Sequence, residues 1–576
     1  MAKRSTLAQL APRPATQVRT AAQVFLQTLA DAGVSQAWGI PGGTISPVFD
    51  ALCDVQAIAY VATRHELAAA FAALGHARVS GRPALVLTTS GPGVTNVITA
   101  VASAHFEQLP MIVVGGEVPA RASGRGALQD GTAEGWRAAE VLGPIVRWAG
   151  RVCSPAAAQS VAARALGSAC GAVPGPVFVS VPLDVAGQPA TSFALGPSRP
   201  LARATPEREA CLDLARALAR AKRPLLVLGN GARSACKETL ELAEAVGMRV
   251  IVTGHAKGCF PESHPQYLGI SGLGQHPSVD QFLVTPPDVT LVVGSRLNDL
   301  STNGWSMVFE GTAATFHLDR DPVLLGRNVQ ATHCLVGDAG RTLRRVLSVL
   351  VRSAQPLVVG GDPLRRHRPE LERSDQVPLA PPRVLRALQD VLPDAIWCSD
   401  IGEHLAFALH YVGVDSPDRF HNLLGFGSMG SGVGAALGIQ RSRPGERVIC
   451  LCGDGGFSML LGELLTAVEQ RLPLVFVVMN DARWNMVEHG FQAVYGRSPD
   501  GLAHARGDFA LVARALGAAG VCIERPEQLE RACLSETLRS RSGPIVLDVR
   551  IDPSESLTRE TRSAAIRHFR GEAPDV

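Results

Sequence analysis

The sequence has little lysine, few aromatic residues and no long apolar run. Its 576 residues carry 55 Lys and Arg against 52 Asp and Glu, and aromatic residues make up 5% of the chain. Nucleic-acid-binding proteins carry strongly basic surfaces, so a net charge of +3 without a basic run argues against one. No apolar run reaches the roughly 18 residues that a membrane-spanning helix needs, so no membrane partner is expected either.

The twelve cysteines show no CxxC pair and no Cys/His cluster with metal-ligand spacing. Cys450 and Cys452 lie on one apolar segment, which suits buried free thiols. Free thiols predict a reducing compartment, so we expect a cytoplasmic protein. Residues 1–19 lack both acidic residues and the apolar core of a secretory signal. They are predicted to form a flexible N-terminal tail, with a transit peptide as the alternative.

Short apolar segments rich in β-branched residues alternate with Ala-rich helical segments along the chain. Eight of them end in glycine or polar turns and read as buried strands: ALVLTTSGPG, MIVVGGEV, PVFVSVPLDV, PLLVLGNG, RVIVTG, VTLVVGS, VICLCGDG and LVFVVMN. Continuous apolar strands of this kind predict an α/β fold, with parallel sheets covered by helices.

A chain of this length is too long for one core. Pro-rich breaks at 188–206 and 355–382 predict three domains, at 20–187, 207–354 and 383–553, followed by a C-terminal tail at 554–576. The first domain ends in GPVFVSVPLDV and the third in GPIVLDVRID. This similarity predicts two related folds with a different domain between them.

The most informative segment runs from Gly453 to Asn480, GDGGFSMLLGELLTAVEQRLPLVFVVMN. A glycine-rich turn with one acidic residue follows the apolar strand RVICLC, and it consists of Gly453, Asp454, Gly455 and Gly456. An amphipathic helix and a second apolar strand follow, ending at Asn480 and Asp481. Because parallel strands end at the same edge of a sheet, oxygen ligands should meet there beside a helix N-terminus. A helix N-terminus and a hard divalent cation together bind a diphosphate.

The GDG segment with its distant Asn resembles the signature of thiamine diphosphate enzymes. Further segments resemble the acetolactate synthase group in the right order: GIPGGTISPVFDAL, TRHELAAAFAALGHARVSGRPALVLTTSGPGVTN, AKGCFPESHPQYLG, FHLDRDP, SDIGEH and GFGSMGSGVGAALG. The resemblance extends from about Thr20 to Asp552. It implies pyrimidine-binding, central and diphosphate-binding domains in the three predicted ranges. It also implies a homodimer with shared active sites, and commonly a homotetramer.

The resemblance implies catalytic roles for two residues of the first domain. Glu66, in RHELAAAF, matches the glutamate that bonds the cofactor's pyrimidine N1′, where a carboxylic group favours the imino tautomer. Gln129, in ALQD, matches a glutamine near the bound substrate. By its residue type alone, Glu66 also fits an ordinary first-turn glutamate favoured by the helix dipole.

The same resemblance implies a Mg²⁺ site and a set of cofactor contacts. Asp454 and Asp481 would bind Mg²⁺ through their side chains and Arg483 through its carbonyl oxygen. The family usually has Asn at position 481, and the alternative is that Asn480 is the ligand. The other residues that match cofactor-binding positions are Gly42, Gly43, Gly402, Glu403, His404, Gly427, Met429 and Met486.

Some of these matches carry a specific expectation. Met429 would wedge between the two cofactor rings, and Gly427 would offer its carbonyl to the aminopyrimidine. His404 would donate to a phosphate oxygen. Glu403 replaces the commoner Gln and is not expected to contact phosphate through its carboxylate. His65, as a neighbour of Glu66, and Phe106, Met486 and His489 are candidate pocket residues.

The resemblance implies a carboligase. A 2-keto acid would lose CO₂, and its acyl carbanion equivalent would pass to a carbonyl acceptor. Simple decarboxylation or C–C cleavage by the same cofactor, and a non-catalytic homologue, are the alternatives. The chain departs from acetolactate synthases just after the metal loop, at Asn485, His489 and Gly490. A bulky Trp of the acceptor pocket is lost there, so a larger pocket is expected unless Trp484 or Phe491 fills the space.

Acetolactate synthases also hold FAD against the central domain. GSRLND keeps Arg296, but the surrounding residues and SGLGQHPS differ from the usual flavin contacts. FAD binding is therefore left open by the sequence.

Overall fold

The computed structural model describes residues 19–192, 203–305, 312–350, 364–538 and 543–558, with positions 566, 570 and 571. These residues form three six-stranded sheets in which neighbouring strands run parallel. The α/β fold class is confirmed, and each sheet lies inside one predicted domain range. Of the predicted tails, 1–18 and most of 559–576 lie outside the described residues.

The first sheet has the order β2-β1-β3-β4-β6-β5. Its strands are β1 (Gln36–Gly39), β2 (Ala59–Ala62), β3 (Ala84–Thr88), β4 (Met111–Glu117), β5 (Trp148–Arg151) and β6 (Pro176–Pro182). The helices of this domain are α1 (Ala21–Asp31), α2 (Ser46–Leu52), α3 (Glu66–Ser80), α4 (Pro92–Thr95), α5 (Ile98–Glu107), α6 (Ala138–Leu142), α7 (Ala158–Ala169) and α8 (Leu183–Ala186). Every residue of β3, β4 and β6 is buried, which explains their continuous apolar sequences.

The central sheet has the order β12-β11-β10-β7-β8-β9. Its strands are β7 (Pro224–Leu228), β8 (Arg249–Thr253), β9 (Tyr267–Ser271), β10 (Val289–Val293), β11 (Ala314–Asp319) and β12 (His333–Val336). Its helices are α9 (Arg208–Arg220), α10 (Cys236–Val246), α11 (Pro277–Leu283), α12 (Asp299–Thr302) and α13 (Ala339–Val349). The strand order reverses between the parallel strands β7 and β10, and a doubly wound sheet opens a ligand crevice at such a point.

The third sheet has the order β14-β13-β15-β16-β18-β17. Its strands are β13 (Ile396–Ser399), β14 (Phe420–Asn422), β15 (Val448–Gly453), β16 (Val475–Asn480), β17 (Ala519–Ile523) and β18 (Ile545–Arg550). Its helices are α14 (Pro381–Val391), α15 (Glu403–Tyr411), α16 (Ser431–Ser442), α17 (Asp454–Met459), α18 (Glu463–Glu469), α19 (Asn485–Tyr495), α20 (Phe509–Ala515) and α21 (Arg531–Leu538).

The first and third sheets share one topology. Counted from the first strand of each domain, both have the order 2-1-3-4-6-5, whereas the central sheet has the order 6-5-4-1-2-3. The predicted pair of related folds around a different domain is therefore confirmed. All eight predicted apolar strands are also strands in the structure.

Helices α3 and α16 join the first and third domains through an unusually close crossing. A Cβ placed on Gly75 would overlap the Ala435 carbonyl oxygen, and one on Gly438 would overlap the Ala72 carbonyl oxygen. Only glycine lets the two backbones approach this closely. The crossing matters for the site because α3 begins at Glu66 and α16 begins just after Met429.

The twelve cysteines all lie in the described part of the chain and are free thiols, with Cys450 and Cys452 buried as expected. Within the described residues, no helix combines the length and the apolar character that crossing a membrane requires.

Candidate active site

Glu66 is the first residue of α3, immediately beyond the carboxyl end of β2. Its side chain is buried, and the Asn96 amide donates to Oε2 at 2.9 Å. A Cβ on Gly93 would lie 3.6 Å from Oε1. His65, the expected neighbour, caps the helix instead, since its Nδ1 accepts from the Leu67 N–H at 3.1 Å.

The turn before Glu66 is held by a residue of the third domain. Glu463, at the start of α18, is buried, and its Oε1 accepts the N–H groups of Arg64 and His65 at 2.9 Å each. Thr466 donates to its other oxygen at 2.8 Å. Glu463 therefore fixes the start of α3 across a domain boundary, and the burial of its carboxyl raises its pKa.

The loops that carry Gly42, Gly43 and Gln129 lie beside the loop after β3. Thr44 Oγ1 lies 3.0 Å from Thr89 Oγ1 and accepts the Ser90 N–H at 2.9 Å. Gln129 has a positive φ of 62°, and its Cγ would lie 2.7 Å from a Cβ on Gly91. A glycine at 91 is thus needed to make room for Gln129.

Asp454 and Asp481 follow β15 and β16, which are neighbours in the third sheet. Asp454 accepts the N–H groups of Gly455 and Ala482, both at 2.8 Å, and Asp481 accepts the Arg483 N–H at 3.2 Å. Burial and the charge of Asp454 raise the pKa of Asp481 to about 7. Two buried carboxylates that repel each other are a site that a divalent cation would relieve.

The alternative ligand, Asn480, has its amide nitrogen hydrogen-bonded to other groups. Its amide Nδ2 donates to Asp548 Oδ1 at 2.8 Å and to the Gly507 carbonyl at 3.1 Å. The Arg483 carbonyl accepts none of the described backbone hydrogen bonds. Asn480 Oδ1, the atom that would bind a metal, is buried without a hydrogen-bond partner among the described residues, so both Asn480 and Asp481 remain candidate partners of Asp454.

The turn after β13 places Gly402 and His404 next to the GDG turn. A Cβ on Gly402 would lie 2.6 Å from the His404 ring, and one on Gly453 would lie 3.5 Å from His404 Nδ1. His404 Nε2 donates to the Asp400 carbonyl at 3.0 Å, and burial lowers the pKa of His404 to about 4. Nδ1 of the neutral ring is an acceptor, so donation to a phosphate would require a second proton on the ring.

The Glu403 carboxylate is bound by the segment that follows β18. Its Oε1 accepts the N–H groups of Leu557 and Thr558, at 2.9 and 2.8 Å, and the Ser556 hydroxyl at 3.1 Å. Burial raises the pKa of Glu403. The His489 side chain and the Thr558 N–H lower it by more than burial raises it, so the pKa lies below its usual value.

Met429 and Gly427 lie on the loop after β14. Met429 is 40% exposed and Gly427 has a φ of 76° with open space where a Cβ would point. Phe426 is also exposed and stacks on Phe106 with ring centroids 5.5 Å apart. Met486, by contrast, is half-buried against the core.

Asp400 organises two of these loops, although its role was missed from the sequence. It is fully buried, and its carboxylate accepts the N–H groups of Gly430 at 2.8 Å and Gly432 at 3.0 Å. A Cβ on Gly456 would overlap Asp400 Oδ2. Burial raises the pKa of Asp400 to about 6 despite these hydrogen bonds.

A further pocket, with an empty volume of about 540 Å³, opens in the central domain where the sheet order reverses. Gly231 follows β7, Gly294 and Arg296 follow β10, and Asp319 ends β11. Glu107 of the first domain closes one side and pairs with Arg78 and with His255, at 3.2 Å. This is the position at which doubly wound sheets bind nucleotides.

Comparisons with known proteins agree with this layout. Three family models match successive parts of the chain: the N-terminal TPP-binding domain of thiamine pyrophosphate enzymes at residues 19–134, their central domain at 212–346, and their C-terminal TPP-binding domain at 400–549. The chain belongs to the thiamine pyrophosphate enzyme family. It is a thiamine diphosphate-dependent enzyme whose first and third domains are the cofactor-binding ones.

Individual relatives within this family are similar over almost their whole length. The large subunit of acetolactate synthase isozyme 3 from Escherichia coli is 32% identical, covering 94% of this chain and 96% of the relative. The acetolactate synthase large subunit of Parasynechococcus marenigrum is 33% identical over 94% of this chain and 89% of the relative. A probable acetolactate synthase large subunit from Methanocaldococcus jannaschii is 31% identical over 93% and 92%.

In this thiamine pyrophosphate enzyme, the residues that the resemblance predicts to differ from acetolactate synthases have two different surroundings. Asn485 and His489 are buried and both contact the Pro553 carbonyl. Nothing lies within 4 Å of a Cβ placed on Gly490. Trp484 does not fill that space, because its ring packs against Gly455.

Proposed function

We propose that the protein is a carboligase that decarboxylates a 2-keto acid and transfers the acyl group to a carbonyl acceptor. The observation that carries this proposal is the buried Glu66 carboxylate at the end of β2, bound by Asn96. Relatives named acetolactate synthase, similar over 94% of the chain, support the same reaction type. The acceptor is a 2-keto acid or an aldehyde.

The residues present fit thiamine diphosphate with Mg²⁺. Asp454 and Asp481 supply two carboxylates, and within the described residues no group of three or more His, Cys, Asp or Glu is arranged to hold a metal alone. Mg²⁺ prefers six oxygen ligands, so the diphosphate, the Arg483 carbonyl and water would complete its shell. The N-terminus of α17 adds backbone N–H groups beside the diphosphate.

Bound thiamine diphosphate supplies the carbon that attacks the 2-keto acid and carries the acyl group. Glu66 would hold a proton against the pyrimidine N1′, and Asn96 fixes the carboxylate for that contact. Met429 lies on the loop that Asp400 holds in place. From there its side chain would wedge between the two cofactor rings. The surrounding subunit surfaces would exclude water from the reacting groups.

The test is to incubate the holo-protein with a panel of 2-keto acids and aldehydes and to identify products by mass. CO₂ release with a chiral ligated product supports the proposal. Free aldehyde without a ligated product would show a decarboxylase instead. Glu66→Gln should abolish turnover by removing the proton that Glu66 holds. Unchanged turnover in that variant would contradict the proposal, and failure to bind thiamine diphosphate would favour a non-catalytic role.

We also propose that each active site is shared between two copies of the chain. None of the described contacts joins Glu66 to Asp454 or Asp481, and exposed apolar side chains surround the loops. Leu128, next to Gln129, is 85% exposed, and Phe426, Met429 and Met459 are 47%, 40% and 51% exposed. A large exposed apolar surface of this kind marks a protein–protein interface.

Mixing two inactive variants tests the shared site. Glu66→Gln and Asp454→Asn subunits would be unfolded together, refolded and assayed. In a two-fold symmetric dimer, a mixed pair retains one intact site, so about a quarter of the wild-type activity should return at equal mixing. No recovery, although two-step affinity purification through a different tag on each variant isolates mixed dimers, would place both residues in one subunit's site.

The open space at Gly490 supports an acceptor pocket larger than that of acetolactate synthases. One methylene changes discrimination by about 1–3 kcal/mol, so a missing indole can change the preferred acceptor. Longer or aromatic aldehydes in the panel should therefore react better than a second pyruvate.

FAD fits the central-domain pocket by position, between the loops after β7 and β10. Arg296 lies at its edge and donates to the Phe106 carbonyl. Denaturing the purified protein, produced with ample riboflavin, and measuring flavin fluorescence decides the point. Stoichiometric flavin supports FAD, and its absence excludes it.

A further inference from the structure

We infer that Glu403 is a positioning residue that ties the segment 553–558 and the helix α19 to the start of α15, and that it is not a diphosphate ligand. The part of this inference that concerns the acceptor rests on the proposed function. Residues 553–558 form the C-terminal strap.

The first connection is between Glu403 and the C-terminal strap. One carboxylate oxygen accepts three hydrogen bonds, from the Leu557 and Thr558 N–H groups and from the Ser556 hydroxyl. Glu403 and Leu557 are both buried, at 8% and 2% exposure. These three donors already stabilise the buried Glu403 carboxylate, whereas a diphosphate of the same charge would repel it.

The second connection is between the C-terminal strap and α19. Asn485 Nδ2 and His489 Nε2 donate to the same oxygen, the Pro553 carbonyl, at 2.9 and 3.1 Å. These residues are four positions apart and so lie on one face of the helix. α19 therefore rests on the strap through its first two turns.

The third connection is between Glu403 and His489 of α19. Glu403 Oε2 and His489 Nδ1 face each other at 3.7 Å. Each is a buried atom without a hydrogen-bond partner in the described part of the chain. Because His489 Nε2 donates to the Pro553 carbonyl, Nδ1 of the neutral ring is an acceptor, so a hydrogen bond to the Glu403 carboxylate would require a second proton on the ring.

The C-terminal strap is also anchored on its outer side. Arg368 Nη1 pairs with Glu555 Oε2 at 2.6 Å. The C-terminal strap is therefore held in place through both its backbone and its side chains.

This network explains three of the departures from acetolactate synthases together. Glu403, Asn485 and His489 are far apart in sequence but meet at one place. α19 begins four residues after Asp481 and carries Gly490, where nothing lies within 4 Å of the position that a Cβ would take; under the proposed function this space belongs to the acceptor pocket. A strap held by Glu403 thus fixes the wall of the acceptor pocket and leaves the diphosphate turn untouched.

The test compares Glu403→Gln and Glu403→Ala with a matched control, Glu446→Gln, which removes a surface ion pair with Arg419. Hydrogen exchange followed by mass spectrometry on the holo-protein reports the Leu557 and Thr558 amides directly. Loss of a hydrogen bond to a charged group should speed their exchange by about tenfold or more in Glu403→Ala. Glu403→Gln keeps an acceptor oxygen and should show a smaller change, and Glu446→Gln none.

Two further readouts separate the alternatives. The thiamine diphosphate Kd should stay within about twofold of wild type, whereas the KM for the acceptor should rise and that for the 2-keto acid should not. Unchanged exchange at 557–558, or a cofactor Kd weakened by about tenfold, would overturn the inference. If the wild-type protein forms no ligated product, the exchange result still decides the anchoring role, so the two proposals fail separately.

Discussion

The helix crossing between α3 and α16 offers the sharpest test of the packing. Gly438 lies in the interior of α16, and a Cβ there would overlap the Ala72 carbonyl oxygen and lie 2.8 Å from the His76 nitrogen. The neighbouring atoms belong to the backbone of another helix, which cannot rotate away as a side chain would. Gly438→Ala must therefore push the two helices apart.

The magnitude follows from two opposing effects. Alanine improves helix propensity over glycine by about 1 kcal/mol. A Cβ on Gly438 would lie 1.8 Å from the Ala72 carbonyl oxygen, whereas non-bonded heavy atoms normally approach no closer than about 3.5 Å. Relieving the overlap therefore needs a shift of about 1.7 Å, and overpacking of this kind costs about 1–3 kcal/mol net.

Gly167 provides the matched control. It lies exposed in the interior of α7, with nothing within 4 Å of the position that a Cβ would take. Gly167→Ala should stabilise the protein by about 1 kcal/mol, so the two variants should differ by about 2–4 kcal/mol.

Urea unfolding followed by circular dichroism would measure both variants at one protein concentration. Gly438→Ala should unfold at lower urea than wild type and Gly167→Ala at equal or higher urea. Because α3 carries Glu66, Gly438→Ala should also lose activity. Equal midpoints for the two variants would refute the close crossing.

Three other predictions concern the sites. Gly490→Trp should lower kcat/KM for bulky acceptors by at least about tenfold and spare small ones; an unchanged ratio in competition assays would contradict the open pocket. Asp454→Asn, or removal of Mg²⁺ with EDTA, should weaken thiamine diphosphate binding by at least about tenfold in titration calorimetry, and equal affinity would exclude the metal site. His410 donates from Nδ1 to the Gly274 carbonyl and accepts the His367 N–H at Nε2, so the folded ring is neutral, and burial lowers its pKa to about 3. In the unfolded chain His410 is protonated near pH 6.5, so the free energy of unfolding should fall as the pH drops from 6.5 to 4. His410→Asn should make this pH dependence shallower by up to about 1.4 kcal/mol per pH unit. An identical pH dependence in urea unfolding would show that His410 is charged when folded.

Much of the fold could be predicted because buried parallel strands leave a clear pattern. Strands such as β4 and β16 are covered on both faces, so every residue in them except the last, Glu117 and Asn480, is apolar or small. Edge strands such as β5 and β12, which are partly exposed, show no such pattern. The similar endings of the first and third domains correctly indicated a shared topology.

The candidate site was predictable only where its residues lie in local turns. Asp454, Asp481 and Glu66 each follow an apolar strand, so their type and position indicate their place in the site. Asp400 and Glu463 gave weaker signals, because one is an acid beside a glycine turn and the other is the first residue of a short helix. Their partners lie 30 and 399 positions away, which no local pattern shows.

The sequence by itself determined which cofactor family the chain belongs to and where its strands end, because both depend on short segments whose residues act next to one another. Tertiary structure alone decided what the side chains of those segments contact. Glu403 belongs to the predicted diphosphate turn, yet its carboxylate is held by N–H groups 154 and 155 positions further along the chain. A hydrogen bond forms between atoms that the fold brings within about 3 Å, and that proximity arises only when distant segments pack together.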